Sequence, residues 1–414
     1  MFIKEVKDNL EGNIIPFWEK LRDNQYGGFY GFYDFDLKLH KEATKGVILN
    51  SRILWFFTNA YTTLGEKECL IHAKHAYEFL KKACLDKEYG GVYWSITYNG
   101  KPEDMTKHTY NQAFAIYALS SYYGATKDSE SLKLAYDLFE LIETKCKDSI
   151  GYLEAFDRTF QPVDNEKLSE NGLMASKTMN TLLHVFEAYT ELYRVVKVKN
   201  DEDILHHPDL NARQGMQMGV KQEKVGKCLR WIMDQFADVL FNTERRILEV
   251  FFDENMKTLS DLNSYGHDIE ASWLIDRGCE VLGDEAYTAK MRKVTDALRE
   301  HILEEGFDGT SLNNECFKGE VDTTKIWWVE AEAVLGFING YQKDNSKKEY
   351  MDAAAKIWDF IKNYMIDKRS GSEWFYDLNK KGEPISRKEI VGPWKCPYHN
   401  GRMCFEVIKR NIDW

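Results

Sequence analysis

The chain repeats one structural unit six times, and this repeat constrains the fold more than any other feature of the sequence. Each unit contains a short glycine- and aromatic-rich segment that follows an amphipathic helix, as in DKEYGGVYW at 86–94. Fixed periods of this kind are typical of architectures in which equivalent units stack on one another. Taking one anchor residue from each copy gives successive spacings of 63, 60, 95, 63 and 62 residues, for the anchors Gly28, Gly91, Gly151, Arg246, Gly309 and Gly371.

The one long spacing indicates an insertion. Residues 198–223 are polar and contain glycine and proline, which predicts an inserted surface loop. The other spacings are nearly equal, so no separate domain is indicated between units. We therefore expect residues 1–414 to form a single domain with one loop insertion around 198–223.

Two kinds of helix alternate along the chain. The helix before each glycine segment has apolar residues three to four apart, as in 73–84, 132–146 and 351–365. With only 7 prolines in 414 residues, long uninterrupted helices are favoured. The helix after each segment is apolar on nearly every face, which places it inside a larger assembly. These predicted inner helices span 51–65, 111–124, 180–193, 267–283, 327–341 and 399–410.

Six helix pairs that each leave an apolar face open must stack on one another, so the sequence predicts an all-α fold. The glycine segments can pair as short β strands on one rim. The period is compatible with an open solenoid and with a closed ring, and it does not choose between them.

Composition excludes several classes of protein. The chain has 55 basic and 67 acidic residues, a net charge of −12, and no basic block, which argues against binding nucleic acid or anionic membranes. No apolar run approaches the roughly 20 residues of a membrane-spanning helix. The N-terminal segment lacks a secretory apolar core, and the 8 cysteines are scattered without a CxxC pair, so we expect a cytoplasmic protein with reduced thiols.

Polar residues enter the apolar inner helices near the start of each one. Because inner helices of a repeat array run parallel, their N-terminal ends share one side of the molecule. If the array closes, the polar residues meet at one mouth, and polar groups gathered in an aromatic-lined concavity are the default prediction for a binding site. These residues are Asn50 and Arg52, His108, Tyr110 and Asn111, Asn180 and His184, His267 and Glu270, Trp328 and Glu332, and His399 and Arg402.

Spacing within the helices predicts partners for the histidines. His267 and Glu270 are three residues apart and share a helix face, as do His399 and Arg402. Such spacings let a carboxylate or an amide orient an imidazole ring. A single histidine on an apolar helix is more often a satisfied core residue. Polar residues near the start of all six inner helices nevertheless favour a binding site over six unrelated core residues. The four-residue spacings are Asn180 with His184 and Trp328 with Glu332.

Three of the histidines, His184, His267 and His399, also raise the possibility of a metal. Catalytic zinc commonly takes three protein ligands and leaves one position open. None of the three belongs to a pair of histidines four residues apart, and all come from separate helices. The sequence therefore predicts a site without a metal or other cofactor.

Tryptophans accompany the polar residues of the inner helices. Trp273, Trp328 and Trp394 lie close to the candidate site in sequence. Indole rings are rarely buried completely and stack well against the C–H faces of sugars. No cluster of lysines and arginines suggests a phosphorylated substrate. A neutral sugar is thus the predicted ligand.

Five motifs of the chain resemble the N-acylglucosamine 2-epimerase superfamily, and within it the cellobiose 2-epimerases. They run from the first repeat unit to the last, so the resemblance covers essentially the whole chain, and the insertion at 198–223 is the main departure from it. The motifs are LNSRILWFF (49–57), SENGLMASKTMNTLLH (169–184), SYGHDIEASWL (264–274), IWWVEAEAVLGF (326–337) and PWKCPYHNGRMC (393–404).

The resemblance implies a closed (α/α)6 barrel that inverts C2 of the reducing-end glucose of a β-1,4-linked disaccharide without a cofactor. Cellobiose would become glucosyl-mannose, and lactose would become epilactose. We expect a monomer or a weak homodimer. The resemblance assigns His267 and His399 as the catalytic pair. It assigns catalytic support to His184, Arg52, Glu270 and Glu332 and sugar stacking to Trp273, Trp328 and Trp394, and Arg402 matches the arginine of the last motif. From their positions in the inner helices, we expect Tyr110 and Asn180 to bind substrate together with these tryptophans and Arg402.

These residue types suit the implied chemistry. The C2 proton of an aldose becomes acidic once the ring opens, and imidazole can remove it near neutral pH. Inversion then needs a second acid on the opposite face of C2, which favours two histidines over one. Arg52 and His184 are expected to stabilise negative charge on O1 of the enediolate. Glu270 and Glu332 are expected to orient the two catalytic imidazoles.

Other functions remain open from the sequence. A glycoside hydrolase could use Glu270 and Glu332 as its two carboxylates. A sugar-binding protein without activity would keep the aromatic residues and need no catalytic histidine. Within the superfamily, an N-acylglucosamine 2-epimerase or a monosaccharide aldose–ketose isomerase is the alternative.

Overall fold

The computed structural model describes residues 2–167, 173–197 and 212–412. Two sets of helices alternate in this part of the chain. The inner helices are α3 (Val47–Leu64), α5 (Thr109–Thr126), α7 (Met179–Val196), α9 (Tyr265–Leu282), α11 (Trp327–Lys343) and α13 (Tyr398–Arg410). The outer helices are α1 (Phe2–Asn9) with α2 (Ile15–Lys20), α4 (Lys67–Phe79), α6 (Ser129–Leu141), α8 (Ala212–Gln235), α10 (Glu285–His301) and α12 (Lys348–Phe360).

The inner helices form a closed ring. Each one contacts the next along the chain, and α13 returns to contact α3. Each outer helix packs against the inner helix of its own pair, and α1 packs against α13. The fold is therefore an (α/α)6 barrel, which answers the question that the period left open.

Burial patterns explain why the two sets separate. Helix α5 buries every residue from Thr109 to Tyr122, as expected for a helix surrounded by protein. Helix α6 buries one stripe, Ser131, Leu132, Ala135, Leu138 and Phe139, and exposes the opposite face. Such a stripe suits a helix that packs on the ring from outside.

A five-residue π-helical segment recurs in every outer helix. In the first unit it lies between α1 and α2, and in the other five it ends the helix before the chain turns back. The repeat therefore extends to helix geometry, which the apolar spacing does not reveal. The segments are Leu10–Ile14, Leu80–Cys84, Ile142–Cys146, Phe236–Leu240, Ile302–Gly306 and Ile361–Met365.

Short antiparallel strands join neighbouring units on one rim, as the glycine segments predicted. In each case, the two residues before an inner helix form antiparallel bonds with residues that follow the next glycine turn. A bridge between Tyr33 and Val391 joins the first unit to the last. The pairs are β1 (Lys45–Gly46) with β2 (Ser95–Ile96), β3 (Lys107–His108) with β4 (Ala155–Phe156), β6 (Lys177–Thr178) with β9 (Phe251–Phe252), β10 (Asn263–Ser264) with β11 (Glu315–Phe317), and β13 (Lys325–Ile326) with β14 (Asp377–Leu378). Four further strands extend or flank these ladders: β5 (Pro162–Val163) beside β4, β12 (Glu320–Asp322) beside β11, and β7 (Phe241–Asn242) paired with β8 (Ile247–Leu248).

Buried lysines fix these strands to the turns beneath them. Lys45 is fully buried, and its ammonium group donates to Asp23 (2.6 Å) and to the carbonyl of Gly27 (2.7 Å). A buried charge is tolerated only when it is paired and hydrogen-bonded. The same lysine position recurs, so one ion pair holds the start of most inner helices in place. The equivalent pairs are Lys107–Asp86, Lys177–Asp148, Lys325–Asp308 and Lys395–Glu373.

The predicted insertion at 198–223 needs a correction. Residues 198–211 lie outside the described part of the chain. Residues 212–223, predicted as loop, belong to helix α8. Val225, Leu229 and Ile232 form a buried stripe on this helix, and residues 212–223 are rich in good helix formers. The packed half of the helix therefore nucleates a longer helix than polarity alone suggests.

No helix in the described ranges combines the length and the apolar character that crossing a membrane requires.

Candidate active site

A cavity of about 340 Å³ opens at the N-terminal ends of the inner helices, and we call it the mouth cavity. All six inner helices contribute to its wall with at least one of the early polar residues. Asn50, His108 and Asn111, which were expected in the same set, do not line it and are hydrogen-bonded to neighbouring loop groups instead. The wall consists of Arg52, Tyr110, Lys167, Asn180, His184, His267, Glu270, Trp327, Trp328, Tyr376, Trp394 and His399.

Three of the predicted site residues do not line this cavity. Glu332, Trp273 and Arg402 are almost fully buried behind its wall. Trp273 and Arg402 line a separate cavity of about 300 Å³ between the C-terminal halves of the inner helices. Their predicted roles, sugar stacking for Trp273 and substrate binding for Arg402, therefore need correction. Trp327, the first residue of α11, lines the mouth cavity beside Trp328, and Lys167 and Tyr376 line it without having been predicted.

His399 is held by a buried carboxylate. Its Nδ1 lies 2.8 Å from Glu332 Oε1, and the other oxygen of Glu332 accepts from Trp273 Nε1 at 2.9 Å. Burial lowers the pKa of His399 well below the ordinary imidazole value, and the charges of Arg402 and Arg52 lower it further. Nδ1 is occupied, so Nε2 is the atom of His399 that remains for a ligand.

His267 has a different partner from the one its spacing predicted. Its Nδ1 lies 2.7 Å from Ser264 Oγ, whereas Glu270 is bonded elsewhere. Ser264 ends the strand β10, one helical turn before His267, so the signal available in the sequence was a polar side chain three residues upstream. Burial lowers the pKa of His267 to about 3, with a smaller contribution from His184. Among the residues that the structure describes, no carboxylate lies at ion-pair distance from His267, and its lowered pKa favours the neutral ring.

We expect Ser264→Ala to lower kcat about tenfold with little change in KM, because one hydrogen bond that orients His267 is lost. Steady-state kinetics on the disaccharide substrate proposed below would measure this. Ser264→Thr keeps the hydroxyl and should retain most of the wild-type rate. A Ser264→Ala enzyme with the wild-type kcat would show that Ser264 does not orient the ring.

Arg402 lies at the centre of a buried ionic network, which we call the Arg402 cluster: Arg402, Glu187, Glu270, Glu332 and Tyr398. One terminal nitrogen of Arg402, Nη2, donates to Glu270 and, at 2.6 Å, to Glu332. The other terminal nitrogen, Nη1, donates to Glu187 and to the hydroxyl of Tyr398. Arg402 therefore holds Glu187, Glu270 and Glu332 together, and it does not itself line the mouth cavity.

Glu187 connects this cluster to His184. Its Oε2 lies 3.0 Å from His184 Nδ1 and also accepts from the hydroxyl of Tyr398. The four-residue spacing had predicted Asn180 as the partner of His184, which is wrong. Glu187 was missed, although His184 and Glu187 have the same three-residue spacing as His267 and Glu270.

The carboxylates of the cluster differ in their affinity for a proton. Burial and the neighbouring Glu332 raise the pKa of Glu270 to about 7. Burial also raises the pKa of Glu332. Burial opposes ionisation of Glu187 too, but Arg402 and His184 outweigh it and lower the pKa of Glu187 to about 2. The cluster thus keeps Glu187 ionised and can hold one exchangeable proton near neutral pH.

Arg52 presents a charge to the mouth cavity. Its Nη2 donates to the Tyr110 hydroxyl at 2.8 Å, and its guanidinium lies over the Phe114 ring, 4.1 Å from the centroid. Within the described ranges, no carboxylate lies at ion-pair distance from Arg52. A cation without a counterion at a cavity wall is suited to stabilise a developing oxyanion.

Glu270, Glu332 and His399 offer atoms within 4.8 Å of one another, a spacing that could hold a metal ion. The same carboxylates already accept hydrogen bonds from Arg402 Nη2, and His399 Nδ1 is bonded to Glu332. The guanidinium of Arg402 therefore already occupies carboxylate oxygens that a metal ion would need as ligands. The three histidines considered from the sequence form no such group among the described residues.

Aromatic rings cover two parts of the wall. Trp328 contacts both catalytic candidates, with ring centroids 4.8 Å from His267 and 5.5 Å from His399. Trp394 lies 5.9 Å from both Trp94 and Tyr110. One aromatic surface thus lies beside the histidines and a second lies farther along the wall, an arrangement suited to two linked sugar rings.

Comparison with known proteins gives concordant relatives. The N-acylglucosamine 2-epimerase family model matches residues 27–192 and 222–401. A cellobiose 2-epimerase of Ruminococcus albus is 51% identical over 413 residues, which is 100% of both chains. A sugar epimerase from a ruminal bacterium superposes with a TM-score of 0.92 at 50% identity over 100% of both chains. The cellobiose 2-epimerase of Bacillus thermoamylovorans superposes with a TM-score of 0.89 at 41% identity over 99% of both chains.

Proposed function

The chain belongs to the N-acylglucosamine 2-epimerase family, and from this membership we propose that it inverts C2 at the reducing end of a β-1,4-linked glucose disaccharide. It is a carbohydrate epimerase, and two relatives that resemble it over essentially the whole chain are named cellobiose 2-epimerases, which supports cellobiose as the substrate. The observation that carries the proposal is the pair of imidazoles, His267 and His399, which reach one cavity from different helices. Arg52 lies at the same wall, and no carboxylate in the described part of the chain pairs with its charge.

The reaction starts from the open-chain aldehyde, in which the C2 proton is acidic. One imidazole removes this proton, and the negative charge moves to O1, where Arg52 is placed to stabilise it. The other imidazole returns a proton to the opposite face of C2. This imidazole gives up its own ring hydrogen and regains one by exchange with solvent. His267 and His399 exchange these roles when the reaction reverses.

The two aromatic surfaces support a disaccharide substrate. Trp328 contacts both imidazoles, so a glucose ring stacked on it would bring C2 between them. Trp394 and Lys167 lie on the part of the wall where the second ring would extend. A monosaccharide would leave this part empty, which is why a disaccharide fits better.

The arrangement of carboxylates argues against a glycoside hydrolase. Such enzymes place two carboxyl groups on either side of the bond that breaks. Here Glu270 and Glu332 both bind Arg402 Nη2, and only Glu270 lines the mouth cavity. The two groups cannot flank one glycosidic bond.

Incubation with cellobiose in D₂O, followed by proton NMR, tests the proposed function. We expect glucosyl-mannose that carries deuterium at C2, with a slowly formed ketose as a side product of protonation at C1. Treatment with a chelator should leave the rate unchanged. Release of free glucose would identify a hydrolase, and an epimer that retains its original C2 hydrogen would contradict proton transfer through the imidazoles.

A further inference from the structure

The second cavity of the barrel, about 300 Å³ in volume, lies towards the C-terminal ends of the inner helices, away from the mouth cavity, and we call it the rear cavity. The proposed epimerisation does not use this space. Its wall carries four cations and two carboxylates, although the whole chain has a net charge of −12. They come from three helices far apart in sequence, so the sequence shows no basic cluster. The charged residues of the wall are Glu191, Arg194, Arg277, Arg402, Glu406 and Lys409.

Both carboxylates of the rear cavity already have a partner. Glu191 accepts from Nε and Nη2 of Arg194 at 2.8 Å and 2.7 Å. Glu406 accepts from Nε of Arg410 at 3.3 Å. The charge of Arg402 is shared by the three carboxylates of the Arg402 cluster. After these pairings, two cations of the wall are left over.

Arg277 is the first of these two cations. Its nearest carboxylate oxygens, Glu406 Oε1 and Glu191 Oε2, lie 3.5 Å and 3.9 Å away, and its guanidinium forms no hydrogen bond within the described ranges. The side chain is 31% exposed and lines the rear cavity. A guanidinium is always charged and carries five N–H donors. Arg277 therefore has donors to offer a ligand in this cavity.

Lys409 is the second cation. Its Nζ makes a contact of 3.4 Å with Asn59 Oδ1, and no carboxylate of the described residues lies at ion-pair distance. Desolvation in the cavity lowers the pKa of Lys409; Glu406 opposes this effect, and the charge of Arg277 adds to it. The two cations are thus near enough to repel each other, and an anion bound to both would relieve the repulsion.

The uncharged groups of the wall do not suit a sugar. The hydroxyls of Thr58 and Thr62 donate to carbonyl groups of their own helix, and the hydroxyl of Ser121 donates to a carboxylate of the wall. Trp55 and Trp273 are 5% and 1% exposed, so neither offers a ring face for stacking. The donors that remain for a ligand are therefore those of the two cations.

We propose that the rear cavity binds a phosphate group, held by Arg277 and Lys409. The planar guanidinium of arginine donates two parallel N–H bonds to phosphate oxygens, and the ammonium group adds a point charge. Near pH 7 a phosphate group carries about −1.5 to −2 charges, which matches the two cations without a carboxylate of their own. The cavity is larger than a phosphate ion and leaves room for a small phosphate ester.

Stabilisation of helix ends is the alternative explanation for these cations. Arg194 and Lys409 lie in the last turns of α7 and α13, where a cation interacts favourably with the helix dipole. Arg277 does not lie in a last turn, because α9 continues to Leu282. The alternative leaves Arg277 unexplained, so Arg277 is the residue to change in a test.

Titration calorimetry with inorganic phosphate, in a buffer without other oxyanions, tests the proposal. We expect one saturable site per wild-type chain. Arg277→Met should lose about 10–100-fold in affinity, because it removes a charge-assisted, two-pronged contact, and Lys409→Met should lose about tenfold. Glucose 6-phosphate in a parallel titration distinguishes the sources of the group: tighter binding of the ester indicates a phosphorylated ligand, and tighter binding of the ion indicates free phosphate.

Two variants with the same loss of charge are the controls and should bind phosphate as the wild type does. Arg292→Met removes an exposed arginine of α10, and Lys167→Met removes a lysine of the mouth cavity. Thermal unfolding would confirm folding, and Lys409→Met alters an exposed side chain, so it remains informative if Arg277→Met does not fold. No saturable binding by the wild type, wild-type affinity in either rear-cavity variant, or an equal loss in Lys167→Met would overturn the proposal. The titration needs no sugar substrate, so it is independent of the epimerase function.

Discussion

His267→Asn and His399→Asn should each lower kcat for cellobiose epimerisation by about 10³–10⁴-fold, because each removes a group that transfers a proton at C2. Both imidazoles line the mouth cavity and both rings contact Trp328, so one glucose unit can lie within reach of the two. Asparagine keeps a polar side chain of similar reach but cannot take the proton. The rate of glucosyl-mannose formation measures the effect.

Solvent exchange separates the two bases. Each single variant keeps one imidazole, so it should still exchange the C2 hydrogen of one epimer with D₂O, and the two variants should differ in which epimer they exchange. Wild-type enzyme should exchange both. Near-wild-type epimerisation by either variant would refute the assignment, and so would exchange of the same epimer by both variants.

Most of the architecture could be predicted from the sequence, because the same structural unit recurs six times. Every unit repeats an amphipathic helix, a glycine turn and a helix buried on all faces, and polar residues recur early in each inner helix. The repeat period alone did not predict that the units close into a ring, because closure depends on the rotation between successive units. Contact between α13 and α3, and the bridge from Tyr33 to Val391, supply that information.

The partners of the site residues were less predictable than the residues themselves. Spacing along one helix pairs His267 with Glu270, but at the centre of a ring five other helices compete for each side chain. Arg402, from α13, donates a hydrogen bond to Glu270, and His267 Nδ1 is hydrogen-bonded to Ser264 Oγ instead. Trp273 also shows that spacing along one helix does not predict contacts between helices. It follows His267 closely in sequence, yet its Nε1 donates to Glu332 behind the cavity.

Arg402→Met should lower the free energy of unfolding by about 3–5 kcal/mol at pH 7.5, because it leaves buried carboxylates without their counterion. Arg402 is 2% exposed and donates to Glu187, Glu270 and Glu332. Methionine fills a similar volume, so a cavity contributes little to the loss. Urea unfolding measures the change. Arg387→Met, which removes an exposed arginine paired with Asp36 on the surface, is the control and should change stability by less than about 0.5 kcal/mol.

The loss in Arg402→Met should depend on pH in a direction that identifies its cause. Without the guanidinium, the folded-state pKa of Glu187 rises from its lowered value, and the pKa values of Glu270 and Glu332, which burial already raises, rise further above the unfolded values near 4.3. When the folded-state pKa of a carboxyl group lies above its unfolded value, the free energy of unfolding of the protein falls as the pH rises from the unfolded pKa to the folded pKa. It rises again as the pH falls. The deficit relative to wild type should therefore be smaller at pH 5 than at pH 7.5, and Glu270→Gln added to Arg402→Met should reduce it at pH 7.5. An equal deficit at both pH values would mean that Arg402 stabilises the barrel by packing and not by charge, and the close approach of Glu187, Glu270 and Glu332 would then need another explanation.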